Sequence, residues 1–242
     1  MKVLVLKKKN ILISIGLILI FLTCVFLPSV LTSSPQGRAT IVIDAGHGGI
    51  DGGSVGYSGT TERVINLDYA KTLKKYLEDF GFKVVLTRTN LDGLAPAGSE
   101  NVKKDDMLKR KEIIERSNAD LIISLHMNSF PLESSRGAQV FYNPNSDISK
   151  SLATSIQDVF IKNLPKARAS ADVGDYYMLN CTNVPAVIVE CGFISNPEEE
   201  KLLLTREYRE KVCYSILSGI IKYYSETNVQ FQEDVMLKMG LG

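Results

Sequence analysis

Short apolar runs alternate with amphipathic stretches along most of this chain, and that alternation restricts it to the α/β class. Residues 39–45 (A-T-I-V-I-D-A) read as a strand. Residues 63–80 follow as a helix, because Ala70, Leu73, Leu77 and Phe80 recur at helical spacing and Gly81 supplies a stop. Next come a strand over 82–87, a polar loop over 93–103, a helix over 105–117 and a strand over 119–125 (A-D-L-I-I-S-L). Residues 138–142 and 186–189 complete the strands, and 148–164 and 207–224 complete the helices. This order predicts a mixed, largely parallel central sheet flanked by helices on both faces. Residues 39–224 are enough for one sizeable core.

The first thirty-odd residues stand outside the pattern. Lys2, Lys7, Lys8 and Lys9 precede residues 10–37, which carry no charge. The apolar heart of that run, residues 11–31, is 21 residues long, against about 20 for a helix that crosses a bilayer. A basic cluster on the amino side holds that end in the cytoplasm. Residues 1–31 are therefore expected to be a signal anchor, 32–38 a linker, 39–224 the catalytic domain and 225–242 a loosely attached tail. The domain is expected outside the cytoplasm, membrane-anchored, or secreted if a peptidase cuts near Thr32, Ser33 and Ser34. A lipidated Cys24 is a third option.

Without the four leader lysines, 24 basic residues face 27 acidic ones, a net charge of −3. Nucleic-acid binders need a cationic excess to neutralise phosphates, so that class is set aside. Cys181, Cys191 and Cys213 are odd in number and form no C-x-x-C. They read as small buried apolar residues, with a Cys181–Cys191 bridge as the alternative.

The chain has two histidines. His47 follows the first strand inside D-A-G-H-G-G-I-D-G-G, and His126 follows the strand expected to end at Leu125. The strand P-A-V-I-V delivers Glu190 in the same way. In open α/β sheets functional groups gather beyond the carboxyl ends of the strands. Two imidazoles and one carboxylate form a common catalytic zinc set with an open fourth position. Glu62 is the best candidate carboxylate, since Thr60 and Thr61 could cap a helix that begins there. Glu190 would then be free to act on water. Taken singly these residues have plainer readings: a satisfied polar histidine, a helix-start acid or a salt-bridge partner. Their joint placement is what points to a metal site.

The blocks D-A-G-H-G-G-I-D-G-G with Glu62, A-D-L-I-I-S-L-H-M-N-S and V-P-A-V-I-V-E-C-G-F-I-S-N together resemble the zinc N-acetylmuramoyl-L-alanine amidases of the Amidase_3 family. The resemblance runs from about residue 39 to 224. It implies one Zn²⁺ per chain held by His47, Glu62 and His126, with Glu190 as the catalytic carboxylate. It also marks Arg110 and Asn128 as recurrent positions, for substrate contact or site support. Met127 departs from the pattern, which has a small residue after the second histidine. The short layout most resembles the spore-cortex members, which act with a separate deacetylase in forming muramic-δ-lactam. The implied substrate is peptidoglycan, and a domain this small could need an accessory or activating protein. Two rivals share these residues: a zinc peptidase acting elsewhere in the stem peptide, and a non-catalytic wall-binding regulator.

Overall fold

The structure, a computed structural model, describes residues 39–227. The expected signal anchor and linker, and most of the tail, lie outside the described residues. Among those described, no helix is long and apolar enough to cross a membrane.

The described strands are β1 (Thr40–Ala45), β2 (Lys83–Leu86), β3 (Leu121–Asn128), β4 (Gln139–Tyr142), β5 (Asp172–Val173) and β6 (Ala186–Phe193). They form one sheet in the order β2-β1-β3-β6-β4-β5. β2, β1, β3 and β6 run parallel, β4 is antiparallel to β6, and β5 is parallel to β4. The predicted mixed, largely parallel sheet is thus the observed one.

Helices cover both faces because the central strands are apolar on both. Ile41, Ile43, Ile123, Leu125 and Val189 face the larger core under α1 (Glu62–Phe80), α3 (Asp147–Asn163) and α6 (Arg206–Thr227). Val42, Ile122 and Ile188 face a smaller core with Ile114 of α2 (Val102–Ser117) and Met178 and Leu179 of α4 (Tyr177–Asn180). Strands buried on two sides read as continuous apolar runs, which is why I-V-I, L-I-I and A-V-I-V were legible as strands. Each such Ile or Leu contributes about 1.5–3 kcal/mol by leaving water.

Several boundaries differ from expectation. β3 runs on to Asn128 and β6 to Phe193, so His126 and Glu190 lie within strands rather than just past them. The two pair across the sheet, and a register shift follows between His126 and Asn128. α2 starts inside the expected loop, because Asn101 caps it by accepting from Lys104 N at 3.1 Å. The two-residue β5 and four-residue α4 are too short for periodicity to reveal. α5 (Pro197–Leu203) carried a readable start signal: Asn196 accepts from Glu198 N and Glu199 N, and Pro197 opens the helix. The three described cysteines are free thiols, so the Cys181–Cys191 alternative does not hold.

β1, β3 and β6 all point the same way. The described chain begins at Ala39, at the amino end of β1, and the candidate site lies beyond the carboxyl end of that strand.

Candidate metal centre

Beyond the carboxyl end of β1 the chain turns sharply through Gly46–His47. His47 sits at φ 60°, a left-handed conformation uncommon for a residue with a Cβ and most often found at functional sites. Two buried arginines hold this turn. Arg88 donates from Nε to Ala45 O (2.9 Å) and from Nη2 to Gly46 O (2.9 Å). Arg110 donates from Nη1 to Ala45 O (2.8 Å) and from Nη2 to His47 O (2.7 Å). Arg110 also pairs with buried Asp44 and, at 2.7 Å, with Asp106. Its guanidinium is 1% exposed and its donors are committed inward. Of the two options left open for Arg110, site support fits this placement.

Glu62 opens α1. Thr61 stands at the cap position but makes no side-chain cap bond. Instead backbone carbonyls of the preceding loop do the capping: Ser54 O accepts from Glu62 N (2.8 Å) and Gly52 O from Arg63 N (3.1 Å). The Glu62 carboxylate is buried and aimed by Met127 N and Asn66 Nδ2 on Oε1 and by Ser54 N on Oε2. Oε1 faces His126 Nδ1 at 3.0 Å and Oε2 faces His47 Nε2 at 3.2 Å.

The structure thus brings His47, Glu62 and His126 together, with one donor atom from each within 4.8 Å of the others. The two imidazoles meet edge to face with centroids 5.0 Å apart. His47 Nδ1 lies 2.9 Å from Asp51 Oδ2, without the alignment of a straight hydrogen bond. A carboxylate behind a ligating imidazole is a usual outer-shell partner. Two glycines make the cluster possible. A Cβ on Gly46 would stand 2.2 Å from the His126 ring, and one on Gly53 would stand 2.5 Å from Glu62 Oε2.

Each charge in the cluster is set by burial acting against its neighbours. Burial would lower the pKa of His47, but Glu62 and Asp51 hold it up at about 9. Burial opposes ionisation of Glu62, yet the two imidazoles keep its carboxyl well below the usual range. On β6, Glu190 is buried beside His126, and burial pushes its pKa up to about 7. Its Oε2 has no hydrogen-bond partner among the described residues. A buried carboxylate oxygen without a donor is costly in a finished structure, and is the arrangement expected of a group that handles a proton during a reaction. Asn128 lies two residues beyond His126 and is half-buried, its carbonyl accepting from Ile194 N at 2.8 Å.

Arg88 was not singled out in the sequence. The signal was its place directly after an apolar strand neighbouring β1, where the carboxyl ends of parallel strands converge.

Residues 41–222 match the family Amidase_3, described as N-acetylmuramoyl-L-alanine amidase. The chain is 37% identical over 199 residues to the germination-specific N-acetylmuramoyl-L-alanine amidase of Bacillus subtilis (strain 168), covering 80% of this chain and 83% of that one. Among solved structures, the CwlD amidase from Clostridioides difficile, determined in complex with the GerS lipoprotein, superposes with a TM-score of 0.74. It is 37% identical and covers 78% of this chain and 99% of its own. The catalytic domain of CwlV, an N-acetylmuramoyl-L-alanine amidase from Bacillus (Paenibacillus) polymyxa var. colistinus, gives 0.69 at 28% identity, covering 78% and 99%. The chain belongs to the N-acetylmuramoyl-L-alanine amidase family.

Proposed function

We propose that His47, Glu62 and His126 hold one zinc ion and that Glu190 moves the proton as this chain hydrolyses the amide between N-acetylmuramic acid and L-alanine in peptidoglycan. The observation that carries the reading is the convergence of three donors within 4.8 Å beside a buried carboxylate oxygen that no described residue satisfies. The donor set suits zinc: two imidazoles and a carboxylate, an outer carboxylate at Asp51, and glycines where any Cβ would fill the cradle. Zinc in such a site supplies Lewis-acid polarisation of a carbonyl and acidification of water.

The chain's own residues do the rest. Glu190 takes a proton from the attacking water at Oε2 and returns it to the leaving alanine nitrogen. Arg88 and Arg110 fix the His47 turn, so the imidazole is held before substrate arrives. Asn128 is assigned to substrate contact.

The setting is read from the sequence and from the relatives. A relative named for germination supports action in the spore cortex. Export through residues 1–31 as a signal anchor would put the domain on the wall side of a membrane. A structural neighbour solved with a lipoprotein supports an exported accessory partner.

Ligating groups must be deprotonated. Since His47 is held up at about 9, and His126 is raised above its ordinary value too, burial lowering it but the hydrogen bond it donates to Glu62 and the charges of Glu190 and Glu62 together raising it more, the metal-free site carries protons at pH 7. Zinc titration of the metal-free full-length chain at pH 7 is expected to release about one to two protons, read as a buffer-dependent enthalpy. Apparent affinity should climb with pH toward about 9. Zinc uptake without proton release would remove His47 from the ligand set.

Mass spectrometry of purified peptidoglycan digested by the zinc-loaded full-length chain tests the function. Stem peptides with a free L-alanine amino terminus are the expected product. Cuts at another stem bond would establish the peptidase rival. Zinc bound without any product would point to a missing activating partner or to the wall-binding regulator.

A further inference from the structure

A cavity of about 490 Å³ opens beside His47 and His126, between the first turn of α2 and the turn that leads into α4. Met107, Met178, Ile188 and the ring of Tyr176 give it an apolar lining, and Lys103 and Asp175 stand on its two opposite walls. Tyr176 is held in place by an edge contact with Phe141, centroids 5.8 Å apart. The other charges at the cavity are committed: Asp44 and Asp106 to Arg110, and Asp51 to His47. Lys103 is exposed and acts on Asp51 only through its longer-range field, helping to lower that carboxyl, and neither Lys103 nor Asp175 forms a close ion pair among the described residues. Asp175 has only a long contact from Asn180 Nδ2 at 3.5 Å.

The geometry points to this cavity as the seat of the stem peptide, with Lys103 pairing with the first free carboxylate beyond L-alanine. The inference rests on the amidase reading and adds which half of the substrate lies here. The scissile amide divides peptidoglycan into chemically unlike halves. The glycan half is neutral, because its lactyl carboxyl is used up in the amide itself. The stem peptide carries free carboxylates and, further along, an amino group. A cation and an anion that lack a close ion-pair partner among the described residues therefore have partners in the peptide and none in the glycan. The apolar lining suits the alanine methyl and the alkyl chains that follow.

The test compares two soluble muropeptides that differ only at the second stem residue, one with a free α-carboxylate and one with an α-carboxamide. The zinc-loaded full-length chain is expected to cleave the carboxylate form with kcat/KM up to about fivefold higher, the scale of an exposed charge pair. Lys103→Gln should bring that ratio close to one, and Lys103→Arg should restore it. Binding of the released peptides, followed on their own NMR signals, gives the same comparison without turnover. Equal cleavage and equal binding of the two forms by the unaltered chain would overturn the assignment while leaving the amidase reading intact. A preference that survives in Lys103→Gln would overturn it as well. If neither muropeptide is cleaved, peptide binding alone decides the role of Lys103, and equal binding of the two released peptides overturns it.

Discussion

Glu190→Gln is expected to keep its zinc and its fold and to lose about 10²–10⁴ in kcat. The amide is isosteric with the carboxylate but cannot accept a proton. Glu190 Oε2 has no hydrogen-bond partner among the described residues, so the substitution breaks no bond with them at that oxygen. The site also becomes less costly to bury, because a carboxylate that burial pushes up to about 7 is replaced by a neutral group. The lost rate corresponds to about 3–5 kcal/mol of transition-state stabilisation. Metal content, thermal midpoint and kcat on one preparation check this, and activity within tenfold of the parent at full zinc content would assign the proton to another group. A sign follows for pH. The base must be ionised, so activity falls as pH drops through its pKa. A bound cation favours the carboxylate and shifts that limb below about 7.

The largest expected effect on stability is at Arg110. Removing one partner of a buried ion pair leaves the other uncompensated, at about 3–5 kcal/mol. In Arg110→Met, Asp44 keeps hydrogen bonds from Thr87 Oγ1 and Ser124 Oγ, each 2.7 Å, but loses its countercharge, and the carbonyls of Ala45 and His47 lose their Nη donors. Denaturant unfolding of the zinc-free chain at pH 7 measures the loss. A decrease under about 1 kcal/mol would mean that the two hydroxyls satisfy Asp44 unaided. The acid limb adds a second readout. Burial raises the Asp44 pKa, but Arg110, Ser124 and Thr87 together bring it down to about 2, below its ordinary 3.8. A depressed carboxylate stabilises the fold above its unfolded pKa, so this contribution is present above about pH 4 and disappears as pH falls toward 2. Without Arg110 the carboxyl rises, and the loss should begin at higher pH.

The site was more legible than the scaffolding that holds it. His47 and His126 stood out because only two histidines exist and each adjoins an apolar run. That signal is local. Glu190 was placed at a strand end, whereas β6 continues three residues past it. The residues after it, C-G-F, keep extended pairing through a register shift that single-strand patterns do not encode. Arg110 stood out only through the family resemblance, with substrate contact and site support both open, because helical spacing says nothing of a guanidinium reaching three residues near β1, 63 to 66 positions away in the chain. The α/β class followed from strands buried on both faces. The capping of α1 by Gly52 and Ser54 carbonyls could not follow from Thr60 and Thr61, since backbone caps have no side-chain signature.

The direction of β1 has one more consequence. Its six residues carry the chain roughly 20 Å from Ala39 to the turn that bears His47. Residue 39 therefore stands a full strand's length from the side chains that gather around His47, and a load applied there would run along the β1 hydrogen bonds before it reached them.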